Sequence, residues 1–318
     1  MTTMLEQPAG GSRPAQVGAR LRPNGALAVQ RPLSPWIRAV RPHQWVKATL
    51  VATAPLVALH FGFGLIARLF ASLVLACAAA SGTYLLNDTV DASADRQHPT
   101  KRLRPIAAGE IRPSHALAVA VVLLIAAPTL GLVLGVSTCL ALGTYVVITV
   151  AYSTKLKQIP IIDITTIAAG FVVRVLIGAT ATSTPVSPWF LTAVGAAAIM
   201  VATGKRRGEL SELGAAAAAH RSSLHTYQDA VTIKLLFGAA GALGAAMIAW
   251  AMIGNGGPQL EEVWAIILVV PVVTGVARYL RLAVAGLAAK PEHLIRDRVL
   301  QASALGTAIV FFVGRVTS

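Results

Sequence analysis

The sequence predicts an all-α integral membrane protein, built as a bundle of nine transmembrane helices. Of its 318 residues, 55% are hydrophobic and only 13% are charged, whereas soluble domains are about 45–50% apolar and about 25% charged. The mean hydropathy of the chain is +0.68. Apolar stretches of about 20 residues, the length that crosses a bilayer, recur along the chain without a polar globular block between them. We therefore assign the excess of apolar side chains to contact with lipid.

The first 34 residues differ from the rest in composition. They contain four prolines, several glycines and four arginines, and they have no apolar run long enough for a signal peptide. Such a segment buries too little apolar surface to fold by itself. We interpret residues 1–34 as a disordered basic tail on the cytoplasmic side, and residues 35–318 as one membrane domain with a catalytic role.

Charge clusters, prolines and glycines divide the membrane domain into nine candidate spans. The spans are residues 46–63, 66–86, 115–135, 137–153, 161–181, 187–204, 232–254, 262–280 and 299–316. With the amino terminus inside, all but three of the 27 lysines and arginines fall in the tail, in the inner connections or within two residues of the inner end of a span, as the positive-inside rule requires. One miscounted helix would send later basic loops to the opposite face, so the pattern predicts nine helices with the carboxyl end outside.

A polar cluster follows the second predicted helix at its inner end. Asn87, Asp91 and Asp95 are four residues apart, and Asp88 lies three residues before Asp91, so a helix would place these groups on one face. Carboxylates at this spacing repel each other, which indicates a cation as their partner. Because Mg²⁺ binds one or two carboxylates together with substrate phosphates, the cluster predicts a Mg²⁺ site formed by Asn87, Asp88, Asp91 and Asp95. The alternative is a solvated acidic helix end.

Basic residues accompany this cluster on the same side of the membrane. Lys101 and Arg102 follow it closely, Lys47 opens the first predicted helix, and Lys205 and Arg206 end the sixth. Ammonium and guanidinium groups suit direct binding of phosphate oxygens. We interpret these residues as candidate phosphate ligands; the alternative is that their charges only fix the topology.

A second polar segment follows the fourth predicted helix and contains Tyr152, Lys157 and Asp163. Arg174 comes eleven residues after Asp163, which places both on nearly the same helical face with Arg174 about 16 Å deeper. A charged group at that depth normally faces a polar cavity or the bundle interior. We interpret Arg174 as a basic group in the wall of such a cavity; a structural ion pair is the alternative.

The pattern Asn87-Asp88-x-x-Asp91-x-x-x-Asp95, followed by Tyr152-Ser-x-x-Leu156-Lys157 and Asp163, resembles the UbiA-type intramembrane prenyltransferase superfamily. The likeness extends over nearly the whole chain after residue 35, and it implies a nine-helix bundle of the UbiA prenyltransferase type. A fuller string is similar to the decaprenyl-phosphate phosphoribosyltransferase branch: Arg41-Pro-x-Gln44-Trp45-Val46-Lys47, then Asp95-Arg96-x-His98-Pro99-Thr100-Lys101-Arg102-x-Arg104-Pro105, and Gly204-Lys205-Arg206.

This branch resemblance implies a Mg²⁺-dependent actinobacterial enzyme. It implies transfer of 5-phosphoribosyl from phosphoribosyl diphosphate to decaprenyl phosphate or a related polyprenyl phosphate, for arabinan precursors of the cell wall. The site would lie on the cytoplasmic side of the bacterial plasma membrane. Superfamily members that prenylate aromatic rings usually carry a second aspartate-rich motif, whereas Asp163 here stands with Lys155 and Lys157. Fewer acids and more bases imply fewer metal ions and a substrate with an additional phosphate.

The resemblance also assigns roles to the candidate residues. Asp91, Asp95 and Asp163 would be catalytic, gathering around one diphosphate. The substrate ligands would be Lys47, Asn87, Lys101, Arg102, Tyr152, Lys157, Arg174, Lys205 and Arg206. The lipid phosphate, with a second pKa of about 6, is already mostly dianionic and needs no general base. Nucleic acid is not expected as a partner, and a homo-oligomer is left open.

Two other functions remain open at the level of sequence. The first keeps the fold and attaches a polyprenyl chain to an aromatic acceptor in quinone biosynthesis. The second is a nine-helix transporter or scaffold without catalysis. A transporter is disfavoured because its acids should line a path through both faces, whereas here only Glu261 and Glu262 fall in the outer connections.

Overall fold

All regular secondary structure in the part of the chain that the computed structural model describes is helical. The described residues are 33–58, 62–213, 227, 229–253, 261–289, 294 and 296–317. The predicted tail, residues 1–34, lies outside them except for its last two residues. The all-helical prediction is therefore confirmed.

Eight described helices are long and apolar enough to cross a membrane. They are α3 (Phe63–Val90), α5 (Pro113–Gly131), α6 (Val136–Thr154), α7 (Ile162–Ala181), α8 (Pro188–Leu213), α9 (Asp229–Ile253), α10 (Glu262–Val284) and α11 (Arg298–Thr317). Each coincides with one predicted span, because the length of an apolar run determines both. The prediction of nine spans is not confirmed.

The segment that corresponds to the first predicted span, residues 46–63, has a different structure. The short helix α1 (Pro35–Val40) leads into a 3₁₀ helix, η1 (Pro42–Ala52), and then into α2 (Thr53–Ala58). Arg41 lies between α1 and η1 in the left-handed region (φ 54°, ψ 64°), and Pro42 supplies the fixed φ of the first helical position. Over the described residues 46–58, the segment therefore consists of the end of η1 and of α2; residues 59–61 lie outside the described part.

Small residues allow the helices to pack closely around η1. Helix α3 packs against α5 and α6, α7 packs against α6 and α8, and η1 contacts both α3 and α7. At Gly178 of α7 the backbone approaches η1 so closely that a Cβ atom would overlap the carbonyl oxygen of Val51. Trp45 of η1 donates its Nε1–H to Ser81 Oγ of α3 (3.1 Å). These contacts fix η1 and its side chains between α3 and α7.

Short connections carry polar groups at the end of the bundle where α3 and α6 stop. Helix α4 (Ala92–Gln97) and the 3₁₀ turn η2 (Lys101–Leu103) follow α3, and the 3₁₀ turn η3 (Leu156–Gln158) follows α6. At the opposite end, Arg68 donates to two backbone carbonyls, Ala181 O (2.6 Å) and Leu134 O. Arg68 thereby ties α3 to the ends of α5 and α7, and the polar site forms at the other end.

Candidate active site

Helix α3 ends at the predicted polar cluster, and α4 continues its helical advance. The N–H of Asp91 donates to Asn87 O (2.9 Å), and the N–H of Asp95 donates to Asp91 O (2.8 Å). The four polar side chains therefore divide into two pairs by helical spacing. Asn87 and Asp91 lie on one face (i, i+4), and Asp88 and Asp95 lie on the neighbouring face (i, i+7).

Two arginines hold the pair formed by Asp88 and Asp95. Arg41 Nη2 lies 2.6 Å from both carboxylate oxygens of Asp88. Arg104 Nη1 donates to Asp88 Oδ1 (3.1 Å) and to Asp95 Oδ2 (2.6 Å). Asp88 is 2% exposed and Asp95 is 3% exposed, so both carboxylates are buried with a positive partner. The arginines thus supply the compensating charge that the sequence analysis assigned to a metal ion.

The other pair, Asn87 and Asp91, faces Lys157 of η3. Lys157 Nζ lies 2.6 and 2.8 Å from the two carboxylate oxygens of Asp91, and 3.3 Å from Asn87 Oδ1. The side chain of Asp91 is 30% exposed and that of Lys157 is 18% exposed. The amide oxygen of Asn87 and the accessible carboxylate of Asp91 therefore both contact the Lys157 ammonium at this end of the bundle.

The metal set predicted from the sequence is only partly assembled. No group of three or more His, Cys, Asp or Glu side chains is placed to hold a metal ion within the described ranges. The reason is that Asp88 and Asp95 contact Arg41 and Arg104. Asn87 and Asp91 remain, and their oxygens fit Mg²⁺, which takes one or two carboxylates and completes its octahedron with water and substrate phosphates.

Asp163 belongs to a separate buried network at the start of α7. Its side chain is fully buried, with 0% exposed. Arg206 of α8 donates from Nε to Asp163 Oδ2 (3.0 Å), and the hydroxyl of Tyr227 donates to Oδ1. Burial and the hydrogen bond to Asp163 raise the pKa of Tyr227 above its ordinary value, so the phenol keeps its proton beyond the pH at which a free tyrosine ionises. Both oxygens of Asp163 thus have donors from the protein.

This network changes the expectation for Asp163 and Arg206. The two side chains contact each other, and Arg206 also donates from Nη1 to Glu209 Oε2 (2.6 Å). The predicted gathering of Asp163 with Asp91 and Asp95 is not seen, because Asp163 is directed to Arg206 and Tyr227. Tyr152 lies within electrostatic range of Arg206. The contact between Asp163 and Arg206 joins the start of α7 to α8.

Arg174 is buried in the middle of α7, as its sequence position predicts. Arg174 Nη2 donates to the hydroxyl of Tyr145 (2.8 Å), and Nη1 donates to Gly170 O (3.0 Å). The guanidinium also lies 4.7 Å from the ring centroid of Tyr145 and 5.4 Å from that of Phe171. All of these contacts are neutral. The structural ion pair considered above is therefore absent from the contacts that the structure gives for Arg174.

The remaining predicted ligands lie at two levels of the site. Lys47 is exposed, and the charges that act on it most strongly are those of Arg174, Lys205 and Arg41. Lys205 is 58% exposed and lies 4.0 Å from Glu209. Lys101 and Arg102 are exposed on η2, next to the end of α3. Lys47 therefore lies within electrostatic range of Arg174, while Lys101 and Arg102 are at the surface.

Sequence reasoning missed the partners of the buried acids. The sequence places Arg104 among the bases that follow the acidic cluster and Arg41 in a longer motif, but it pairs neither with an acid, and it does not point to Tyr145 or Tyr227. Arg41 and Asp88 are 47 residues apart, and Tyr227 and Asp163 are 64 apart. No local spacing rule connects positions so distant along the chain.

Comparisons with known proteins agree with this architecture. The sequence matches the UbiA prenyltransferase family over residues 48–293. A decaprenyl-phosphate phosphoribosyltransferase from Mycolicibacterium smegmatis is 32% identical over 293 residues, covering 86% of this chain and 92% of that protein. The protein of the same name from Mycobacterium tuberculosis (strain CDC 1551) is 34% identical over 287 residues, covering 86% and 94%.

The fold agrees with a solved structure as well. A UbiA homolog from Archaeoglobus fulgidus, bound to GPP and Mg²⁺, superposes with a TM-score of 0.67 at 15% identity and covers 88% of this chain and 98% of its own. The resemblance inferred from the motifs is confirmed by these matches. The chain is a multi-pass membrane protein and belongs to the UbiA prenyltransferase family.

Proposed function

We propose that this protein transfers 5-phosphoribosyl from phosphoribosyl diphosphate to decaprenyl phosphate, or to a related polyprenyl phosphate, in a Mg²⁺-dependent reaction. The observation that carries the proposal is the convergence of Asn87, Asp91 and Lys157 at one end of a bundle that is otherwise rich in bases. The names of the relatives support the same reaction. Its product would serve arabinan precursors of a cell wall.

The bond changes follow from the substrates. The bond between C1 of the ribose and the diphosphate breaks, and its electron pair leaves with the diphosphate. A phosphate oxygen of the lipid supplies the pair for the new C1–O bond. The lipid phosphate has a second pKa of about 6, by analogy with phosphorylated side chains, so it attacks without a general base. This agrees with a site built from charged groups in which no histidine is needed.

Asn87 and Asp91 would hold Mg²⁺ against the diphosphate. When bound, the ion would supply positive charge that stabilises the leaving group. Lys157 lies beside both residues and would bind a diphosphate oxygen. The buried ion pairs of Asp88 and Asp95 would keep the end of α3 rigid, so that Asp91 is presented at a fixed position. Lys101, Arg102 and Lys205 would bind the 5-phosphate of the donor from the exposed side.

The charge distribution supports a cytoplasmic site in a bacterial plasma membrane. Lys101, Arg102, Lys157 and Lys205 lie in or next to connections that the positive-inside rule assigns to the cytoplasm. Phosphoribosyl diphosphate is a water-soluble polyanion, so it would reach this end directly from solution. The inner end of the bundle is thus the end where the donor would enter.

The test is a transfer assay with defined components. Purified protein in detergent receives MgCl₂, decaprenyl phosphate and ribose-labelled phosphoribosyl diphosphate, and the label is followed into organic solvent. We expect lipid-bound label that depends on both the acceptor and Mg²⁺, and none with Asp91→Asn. Absence of lipid-bound label, together with prenylation of an aromatic acid from a polyprenyl diphosphate, would contradict the proposal.

A further inference from the structure

Two positive side chains, Lys47 and Arg174, lie on elements that pack against each other: Val51, four residues after Lys47, contacts Gly178, four residues after Arg174. Arg174 is buried, whereas Lys47 is accessible. Lys47 projects from η1 and Arg174 from α7, and Arg174 is the first of the charges that act on the Lys47 ammonium. The other two, Lys205 and Arg41, are also positive. Like charges held together in a low-dielectric region are costly unless an anion compensates them. This makes the region between Lys47 and Arg174 a candidate anion site.

The surroundings of Arg174 supply no such anion. Arg174 is 9% exposed, and its contacts are the hydroxyl and ring of Tyr145, the carbonyl of Gly170 and the ring of Phe171. A guanidinium carries five N–H donors, and these contacts use two of them. Lys47 likewise has no ion pair among the contacts of the described residues. A bound anion would therefore find free donors on Arg174 and the ammonium of Lys47.

The position of this pair relative to Asp91 indicates which anion it binds. Arg174 acts electrostatically on Tyr84 and Cys77 of α3, and Tyr84 precedes Asp91 by seven residues. Seven residues of helix correspond to about 10 Å. Arg174 thus lies at least about two helical turns deeper in the bundle than Asp91. Its partner Tyr145 packs with Ala76 and Ala79 of α3, which lie deeper still.

We propose that Lys47 and Arg174 bind the phosphate of the lipid acceptor, while Asn87, Asp91 and Lys157 bind the diphosphate end of the donor. This inference rests on the proposed function. Direct displacement at C1 of the ribose requires the entering oxygen to approach from the side opposite the leaving diphosphate. A diphosphate at the Asp91 end therefore places the entering phosphate deeper, toward Arg174. An acceptor whose chain is dissolved in the membrane reaches this level from the lipid.

Steady-state kinetics separate this assignment from binding of the 5-phosphate of the donor. We expect Lys47→Gln and Arg174→Gln each to raise the KM for polyprenyl phosphate at least tenfold, with the KM for phosphoribosyl diphosphate changed less than twofold. Arg112→Gln is the control, because Arg112 is an exposed base at the start of α5. A rise in the KM for phosphoribosyl diphosphate alone would assign the pair to the 5-phosphate and overturn the proposal.

A binding assay tests the same site without turnover. Cys77 of α3 lies within electrostatic range of Arg174 and Tyr145, and its neighbour Ala76 packs in one core cluster with Tyr145. Cys139 lines a separate apolar groove on α6. We expect farnesyl phosphate to slow alkylation of Cys77 by a small maleimide at least fivefold, and farnesol to leave the rate unchanged. The rate of Cys139 alkylation, measured in the same experiment, shows non-specific effects of the farnesyl chain.

Variants of Arg174 make this binding result decisive. Arg174→Gln should abolish the protection of Cys77, and Arg174→Lys should retain part of it, which distinguishes loss of charge from loss of fold. Equal protection by farnesol and farnesyl phosphate, or full protection in Arg174→Gln, would overturn the proposal. Protection by farnesyl phosphate in a protein that fails the transfer assay would contradict the proposed function while leaving the phosphate site standing.

Discussion

The three aspartates between residues 88 and 95 differ in what holds them. Asp88 and Asp95 are buried against Arg41 and Arg104, and Asp91 is accessible and contacts the flexible ammonium of Lys157. A guanidinium in a buried pair is held by geometry and desolvation, whereas a lysine ammonium is a compact charge on a flexible stem. The exchangeable partner therefore marks Asp91 as the acid that can receive a new ligand.

This difference predicts opposite phenotypes for two neighbouring substitutions. Asp91→Asn should lower the rate of transfer at least a hundredfold and leave thermal stability close to that of the wild type. Asp88→Asn should lower the free energy of unfolding by about 3 kcal/mol, because it leaves the buried charge of Arg41 without its partner. Thermal unfolding in detergent and the transfer assay measure the two effects. A destabilised Asp91→Asn beside a stable Asp88→Asn would show that the roles are reversed.

The Tyr227–Asp163 hydrogen bond predicts a loss of stability at alkaline pH. The phenol ionises near pH 10.0 in the unfolded chain, and its pKa is raised in the folded protein by burial and by Asp163. Its contribution is therefore fully present below about pH 10 and is lost as the pH rises toward the folded pKa. We expect the melting temperature of the wild type to fall more steeply above pH 10 than that of Tyr227→Phe. Parallel curves for the two proteins would contradict this.

At the scale of residues, the sequence predicts the pairing of Asn87 with Asp91 but not the partners of Asp88. Helical spacing is a local property, so it identifies the face that carries Asn87 and Asp91. The ion pair between Arg41 and Asp88 depends on where η1 packs on α3, which no local pattern contains. The argument that clustered acids require a metal ion was incomplete, because two arginines satisfy two of the acids: Arg41, 47 residues from Asp88, and Arg104, nine residues from Asp95.

Among the elements, η1 has the largest effect on the site. It carries Lys47, follows Arg41 and lies between α3 and α7. Its fixed position depends on the contact between Val51 and Gly178. Because glycine has no side chain, the backbone of α7 approaches the backbone of η1 directly at this point. The distance between Lys47 and Arg174 therefore depends on a residue without a side chain.

Gly178→Ala tests this dependence. The added methyl group overlaps the carbonyl oxygen of Val51, so η1 or α7 must shift, at a cost of about 1–3 kcal/mol for overpacking. We expect a lower melting temperature and a raised KM for polyprenyl phosphate. Gly143→Ala in α6 is the matched control, because a Cβ atom there meets nothing within 4 Å. If the two variants behave alike, the contact between Val51 and Gly178 does not determine the position of η1.

The long helices could be predicted because hydrophobic length alone determines them. The predicted span 137–153 corresponds to α6, which is observed over Val136–Thr154. The predicted span 161–181 corresponds to α7, which is observed over Ile162–Ala181. Residues 46–63 were predicted as one helix from their apolar composition. In the structure, residues 46–52 belong to the 3₁₀ helix η1, which begins at Pro42, and α2 follows with Pro55 in its first turn. Apolar content indicates burial and does not determine which helix type forms.

At the scale of the whole molecule, the bases and acids collect at one end of the bundle. The site lies there, and the opposite end is tied by Arg68 to backbone carbonyls rather than to acids. This asymmetry predicts that phosphoribosyl diphosphate enters the site from one side of the membrane only. The orientation follows from the positive-inside rule, which assigns the basic end to the cytoplasm.

Membrane vesicles of known orientation test this sidedness. Phosphoribosyl diphosphate does not cross a bilayer, so inside-out vesicles supplied with the labelled donor should form labelled lipid. Right-side-out vesicles should form at least tenfold less until they are permeabilised with detergent. Activity in intact right-side-out vesicles but not in intact inside-out vesicles would place the donor site at the opposite end, and equal activity in both would contradict entry of the donor from one side.

The one-sided collection of charge also affects what happens to the product. A polyprenyl phosphate that has gained a phosphoribosyl group carries a polar headgroup with several negative charges, and its release is into the leaflet from which the acceptor came. Toward the far surface, the described core clusters consist mainly of apolar side chains, which bind a charged headgroup poorly. If the sugar is needed on the outer side of the membrane, a separate flippase must carry the lipid there after this enzyme has released it.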